Sequence, residues 1–145
     1  VALRSGGTNI DVSQADTHIF GYSIGLDMTR RDLQAEMKRL GRPWEVSKAV
    51  EGSAPTSQLR LREETGFITS GRIKLLVNGE IKQESNLNKM IWSVSEQISI
   101  LSEYYELAAG DIIMTGTPAG VGPVKKGDVM LGSIEGLGDL TVTVD

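Results

Sequence analysis

Apolar and polar positions alternate in several short runs, each closed by glycine or another turn former. From Phe20 to Asp27, Tyr22, Ile24 and Leu26 fall on one face, with Gly21, Ser23 and Gly25 on the other. That period of two predicts a half-buried strand whose small-residue face has room for close packing or a ligand. Arg72 to Val77 and Glu80 to Gln83 are strand-like runs separated by Asn78-Gly79, which predicts a type I′ hairpin. Val1 to Leu3, Ile112 to Thr115, Val129 to Ile134 and Leu140 to Val144 read as further strands, the last two around the turn Glu135 to Asp139. Helical signals are fewer. Asp11 or Ser13 can cap a short helix over Gln14 to His18, and Thr29 with Asp32 has the spacing of a capping box for a helix to about Leu40. Gly41 and Pro43 end that helix. Ser93 with Glu96 caps another through Tyr105, with Val94, Ile98 and Leu101 on its inner face. Arg42 to Ser57 has no clean period and contains Pro43, Gly52 and Pro55; a long irregular segment in a compact domain is often functional. Strands outnumber helices, so the expected class is α+β, mainly β.

Composition narrows the function classes. A chain of 145 residues fits one domain with a real core, here residues 1–145. A net charge of -4, with no concentrated basic face, argues against a nucleic-acid partner. The longest apolar runs, such as Ile112-Ile113-Met114, are too short to span a bilayer, so no membrane partner is expected. The absence of cysteine excludes disulfides and thiolate metal sites within these residues and fits a reducing cytoplasm. Val1-Ala2-Leu3 reads as the interior of a strand with no initiator Met, so further sequence is expected upstream.

Several residues could carry chemistry. The glycine-rich loop Gly116 to Gly122 lacks the Gly-Lys-Ser/Thr of a phosphate loop, and Lys125 stands where a dinucleotide motif needs a third glycine. It is either a wide turn or a platform on which Thr115 and Thr117 offer hydroxyl and backbone donors to an anion. Asp27 ends a predicted strand, and Arg31 and Gln34 share a face in the first turns of the next helix. A carboxylate, a guanidinium and an amide could converge there on a charged ligand, or Asp27 could merely cap the helix and Arg31 pair locally. By residue type alone Lys48 is a solvated surface lysine. His18 is the only histidine, which excludes a multi-histidine metal site in these residues, and its place at a helix end suits a structural role. No Gly-x-Ser-x-Gly elbow is present, and Glu63-Glu64 reads as a solvated loop.

Taken in order, these segments resemble the fumarylacetoacetate hydrolase family. The resemblance rests on Gly21-Tyr22-Ser23-Ile24-Gly25-Leu26-Asp27-Met28-Thr29-Arg30-Arg31-Asp32-Leu33-Gln34 and on Gly110-Asp111-Ile112-Ile113-Met114-Thr115-Gly116-Thr117-Pro118-Ala119-Gly120-Val121-Gly122. Between them, Gly41-Arg42-Pro43-Trp44-Glu45-Val46-Ser47-Lys48-Ala49 and Ser53-Ala54-Pro55 match a lysine-bearing segment; Met90-Ile91-Trp92-Ser93 and Gly127-Asp128-Val129 also fit. Ser5-Gly6-Gly7-Thr8-Asn9-Ile10 and Gly41-Arg42-Pro43-Trp44 look most like the fumarylpyruvate hydrolase branch. The resemblance implies a mixed β-sheet roll with a few short helices, usually homodimeric, and a Mg²⁺ or Mn²⁺ ion held by three carboxylates. Asp27 matches the third ligand; the first two form a Glu-x-Glu pair that this sequence lacks. The family's catalytic His–Glu dyad is likewise unmatched, since His18 is not its histidine. Arg31, Gln34, Lys48 and Thr117 match substrate-binding positions, with Lys48 and Gln34 as electrostatic partners of a developing enolate. The implied substrate is a small 2-oxo acid, an acylpyruvate, and the implied reaction hydrolysis of its C–C bond, fumarylpyruvate giving fumarate and pyruvate in gentisate-type aromatic catabolism. Decarboxylation of a 2-oxo acid or isomerisation of an oxo-dienoate would use the same residues, and a non-catalytic β domain is the alternative from another class.

Overall fold

The computed structural model describes all of residues 1–145. In chain order its elements are β1 (Ala2–Leu3), α1 (Val12–Ala15), β2 (Ile19–Tyr22), α2 (Arg31–Arg39), α3 (Glu45–Lys48), β3 (Arg60–Leu61), α4 (Arg62–Thr65), β4 (Arg72–Val77), β5 (Glu80–Asn86), α5 (Val94–Tyr104), β6 (Val129–Ile134) and β7 (Gly138–Thr143). Single 3₁₀ turns follow α1 at Asp16–His18 and β5 at Leu87–Lys89. This is an α+β fold with two sheets, one of three strands in the order β1-β2-β3 and one of four in the order β5-β4-β6-β7, and each strand pairing is antiparallel.

The strongest local signals become the firmest elements. Asn78 and Gly79 take φ of 51° and 82°, and with Val77 opposite Glu80 they form the two-residue primed turn of the β4–β5 hairpin. Ser93 and Glu96 form a complete capping box at the start of α5. From α5, Ile98 is fully buried in one cluster with Leu3, Ile19, Tyr22 and Ile113, with Val94 and Leu101 packed on the same cluster.

The expected strand from Phe20 to Asp27 is regular only to Tyr22. Beyond it the partner contains Pro55, which has no N–H to give to a ladder. The backbone still pairs in extended form: Ser57 N–H donates to Ile24 O (2.8 Å), Leu26 N–H to Pro55 O (3.0 Å) and Met28 N–H to Ser53 O (2.8 Å). The alternation itself holds, since Tyr22, Ile24 and Leu26 are all buried. Ile24 belongs to the larger core cluster and Leu26 to a smaller one with Val77 and Met130. Gly132 on β6 lets both approach, because a Cβ there would lie 3.3 Å from Ile24 and 3.6 Å from Leu26. This segment therefore joins the two sheets.

Four other expectations need correction. Ile112 to Thr115 is extended but forms only one bridge, Ala2 to Ile112, because the neighbouring β1 is two residues long. Thr29 and Asp32 form no capping box; Arg30 is the N-cap of α2 and has no side-chain cap. Arg42 to Ser57 contains the one-turn helix α3, too short to show a period. Glu63 and Glu64 lie on α4 rather than in a loop, facing Arg4 at 3.6 Å and Arg60 at 3.3 Å.

Candidate active site

Asp27 follows the buried Leu26, whose backbone is fixed by Pro55, so the carboxylate leaves the joint between the sheets at a defined point. One turn further, Arg30 N–H donates to Ser47 O at 3.0 Å, which ties the start of α2 to α3. Ser47 is completely buried and its hydroxyl donates to Trp44 O at 2.5 Å. Lys48 is the next residue. Its ammonium donates to Asp27 Oδ2 at 2.5 Å and to Thr29 Oγ1 at 2.9 Å. Thr29 is thus occupied by Lys48, and its own hydroxyl turns to Asp27 O at 3.2 Å instead of capping the helix. The lysine that composition alone places in solvent is anchored at the end of the Asp27 segment.

These groups open onto a cleft of about 790 Å³, within the size range of small-molecule sites. Asp27, Arg31, Lys48 and Thr117 all line it. Gln34 does not; its Oε1 accepts from Arg31 Nη1 at 3.0 Å, so it reaches the cleft only through the guanidinium. Thr115 is likewise absent from the lining, whereas Thr117 and its neighbours Gly116 and Pro118 are part of it. His18 lies elsewhere, with Nδ1 2.9 Å from the Ser5 hydroxyl.

The glycine-rich loop is fastened to β5. Gln83 Nε2 donates to Thr117 Oγ1 at 2.8 Å and to Pro118 O at 2.6 Å. Gly120 has φ of 100°, and a Cβ there would lie 2.0 Å from Lys82 O. Sequence reasoning missed Gln83. The available signal was a polar residue opposite Leu75 in the hairpin register. Past the loop, Asp128 accepts from Asn78 Nδ2 and from Lys125 N–H, both at 2.9 Å. These two bonds hold its carboxyl below the usual range, the Asn78 bond contributing most.

A hard divalent cation takes oxygen ligands in near-octahedral geometry. No three acidic or histidine side chains gather within these residues. Asp27 is a suitable oxygen donor, but it is engaged by Lys48, and these 145 residues do not by themselves make the carboxylate set.

The family model for the fumarylacetoacetate (FAA) hydrolase C-terminal region matches residues 1–145. The chain belongs to the fumarylacetoacetate hydrolase family. Among family relatives, the fumarylpyruvate hydrolase of Ralstonia sp. is 44% identical over 99% of this chain and 74% of its own length. The mitochondrial oxaloacetate tautomerase of Mus musculus is 39% identical over 94% of this chain and 62% of its own length. The crystal structure of fumarylpyruvate hydrolase from Pseudomonas aeruginosa in complex with Mn²⁺ and pyruvate superimposes with a TM-score of 0.97 at 49% identity, over 99% of this chain and 61% of that one. The chain thus spans about three fifths to three quarters of the family members it resembles. No helix is long and apolar enough to cross a membrane.

Proposed function

We propose that this chain carries the substrate-holding half of the active site of a divalent-metal-dependent hydrolase that cleaves the C–C bond of acylpyruvates, with fumarylpyruvate as substrate. The observation that carries the reading is the convergence of Arg31, Lys48 and Thr117 beside Asp27 in one cleft. It is supported by the fumarylpyruvate hydrolase relatives that the chain matches over nearly its full length. In this reading Thr117 and Arg31 grip the 2-oxo acid carboxylate and set its orientation. Water adds to the distal carbonyl and gives up a proton, the C–C bond breaks with its electron pair passing to the pyruvate fragment as an enolate, and a proton returns to the enolate carbon to release pyruvate. In the same reading the Lys48 ammonium stabilises that charge, and Gln34 holds the Arg31 guanidinium through their hydrogen bond. A bound Mg²⁺ or Mn²⁺ would polarise the 2-oxo acid. Asp27 would give it one oxygen, with its other protein ligands from outside residues 1–145. The proposal includes homodimeric assembly, as the family resemblance implies, and a cytoplasmic location, in keeping with a chain without cysteine.

A second reading keeps the site and changes the reaction. The mouse relative is named an oxaloacetate tautomerase, and tautomerisation of a 2-oxo acid also passes through an enolate held by a lysine and a carboxylate grip. Steady-state assays of the metal-loaded enzyme on fumarylpyruvate and oxaloacetate decide between them. Hydrolysis of fumarylpyruvate should have the higher kcat/KM by at least tenfold. A preference for oxaloacetate, or no hydrolysis at all, would reject the leading reading.

A further inference from the structure

We propose that Gln83 is a positioning residue, which fixes the Thr117 hydroxyl as a hydrogen-bond donor into the cleft. The inference rests on the reading of Thr117 as the carboxylate grip. A hydroxyl can donate or accept, and an anionic ligand needs it to donate. Nothing in Thr117 itself makes that choice. Pro118 O can only accept, so the group 2.6 Å from it on Gln83 must be the amide nitrogen. That nitrogen has two hydrogens, and the second points to Thr117 Oγ1 at 2.8 Å. The threonine oxygen is therefore an acceptor towards Gln83, and its own proton is left for another partner. Thr117 lines the cleft, so that proton is available to an acceptor bound there. Gln83 is itself only 8% exposed and comes from strand β5 of the β4–β5 hairpin. The orientation is thereby set before a ligand arrives.

The test is calorimetric titration with pyruvate of the Mn²⁺-loaded enzyme that includes the metal ligands outside residues 1–145, comparing Gln83→Glu, Thr117→Val and the double variant with wild type at each pH. An ionised carboxylate in place of the Gln83 amide can only accept, so it would capture the threonine proton and turn the oxygen lone pairs to the ligand. Gln83→Glu should weaken pyruvate binding by at least tenfold at pH 7.5 and recover part of the loss towards pH 5, as the acid becomes a donor again. In the Thr117→Val background the same change should cost clearly less than in wild type, the remainder being the lost bond to Pro118 O. Unchanged binding in Gln83→Glu, or an equal loss with and without Thr117, would overturn the proposal. Unchanged binding in Thr117→Val would instead remove the carboxylate-grip reading on which it stands. If Gln83→Glu does not fold, Gln83→Met, which can neither donate nor accept strongly, should still weaken pyruvate binding by about threefold or more; unchanged binding in that variant would overturn the proposal equally.

Discussion

Lys48 is close enough to Asp27 to suggest a structural ion pair, yet both side chains are substantially exposed, 34% and 46%. Exposed pairs contribute little to stability. The pair is better understood as two site residues meeting at a cleft wall. Replacing Lys48 with Met in the metal-loaded enzyme should therefore leave thermal stability nearly unchanged and lower kcat by about a hundredfold, on the order of 3 kcal/mol, the scale of a lost oxyanion donor. Mn²⁺ affinity should not fall, because the change frees Asp27 from its lysine. A kcat within a few-fold of wild type would take Lys48 out of the reaction. At this scale little was legible from residue type. Surface lysines are common, and Lys48 stood out only through the family resemblance of its segment. Gln83 had only its polar character opposite Leu75 to mark it, because nothing in a strand sequence tells which loop will come to rest on it.

The loop from Gly116 to Gly122 sits on β5 with almost no tolerance at one position and ample room at another. At Gly120 a methyl group would meet the Lys82 carbonyl at 2.0 Å, and the positive φ adds strain for any other residue. Gly122 has nothing within 4 Å. Gly120→Ala should lift the loop, destabilise the protein by about 1–3 kcal/mol in urea melts and weaken pyruvate binding, while Gly122→Ala does neither. Equal effects at the two glycines would mean that the loop is not seated on the strand. Elements with complete local signals, the Asn-Gly hairpin and the Ser93 capping box, were legible because turn and cap chemistry act within a few residues. α3, β3 and α4 were not, since elements of two to four residues show no period. Thr29 misled for another reason. Its capping spacing was genuine, but a lysine 19 residues on took the hydroxyl.

Over the whole molecule, the cleft lies where the two sheets meet around Ile24, Leu26 and Gly132, so the candidate site and core packing share one joint. The proposed metal site differs, because no three acidic or histidine side chains gather among these residues. Calorimetry on the 145-residue chain should show Mn²⁺ and Mg²⁺ binding no tighter than millimolar; a micromolar site would mean that Asp27 has carboxylate partners of its own here. The three-stranded sheet closes in an order set by distance along the chain. One edge of β1 is covered by β2, about twenty residues away. The other edge pairs with residues near 111, through Leu3 N–H to Asp111 O at 2.9 Å and Ile113 N–H to Val1 O at 2.8 Å. During synthesis that second edge stays open until roughly a hundred more residues have emerged, on the order of ten seconds at typical translation rates. One edge of β1 thus waits for residues made about a hundred positions later, and the tempo of the ribosome, rather than diffusion of the chain, times the closing of this sheet.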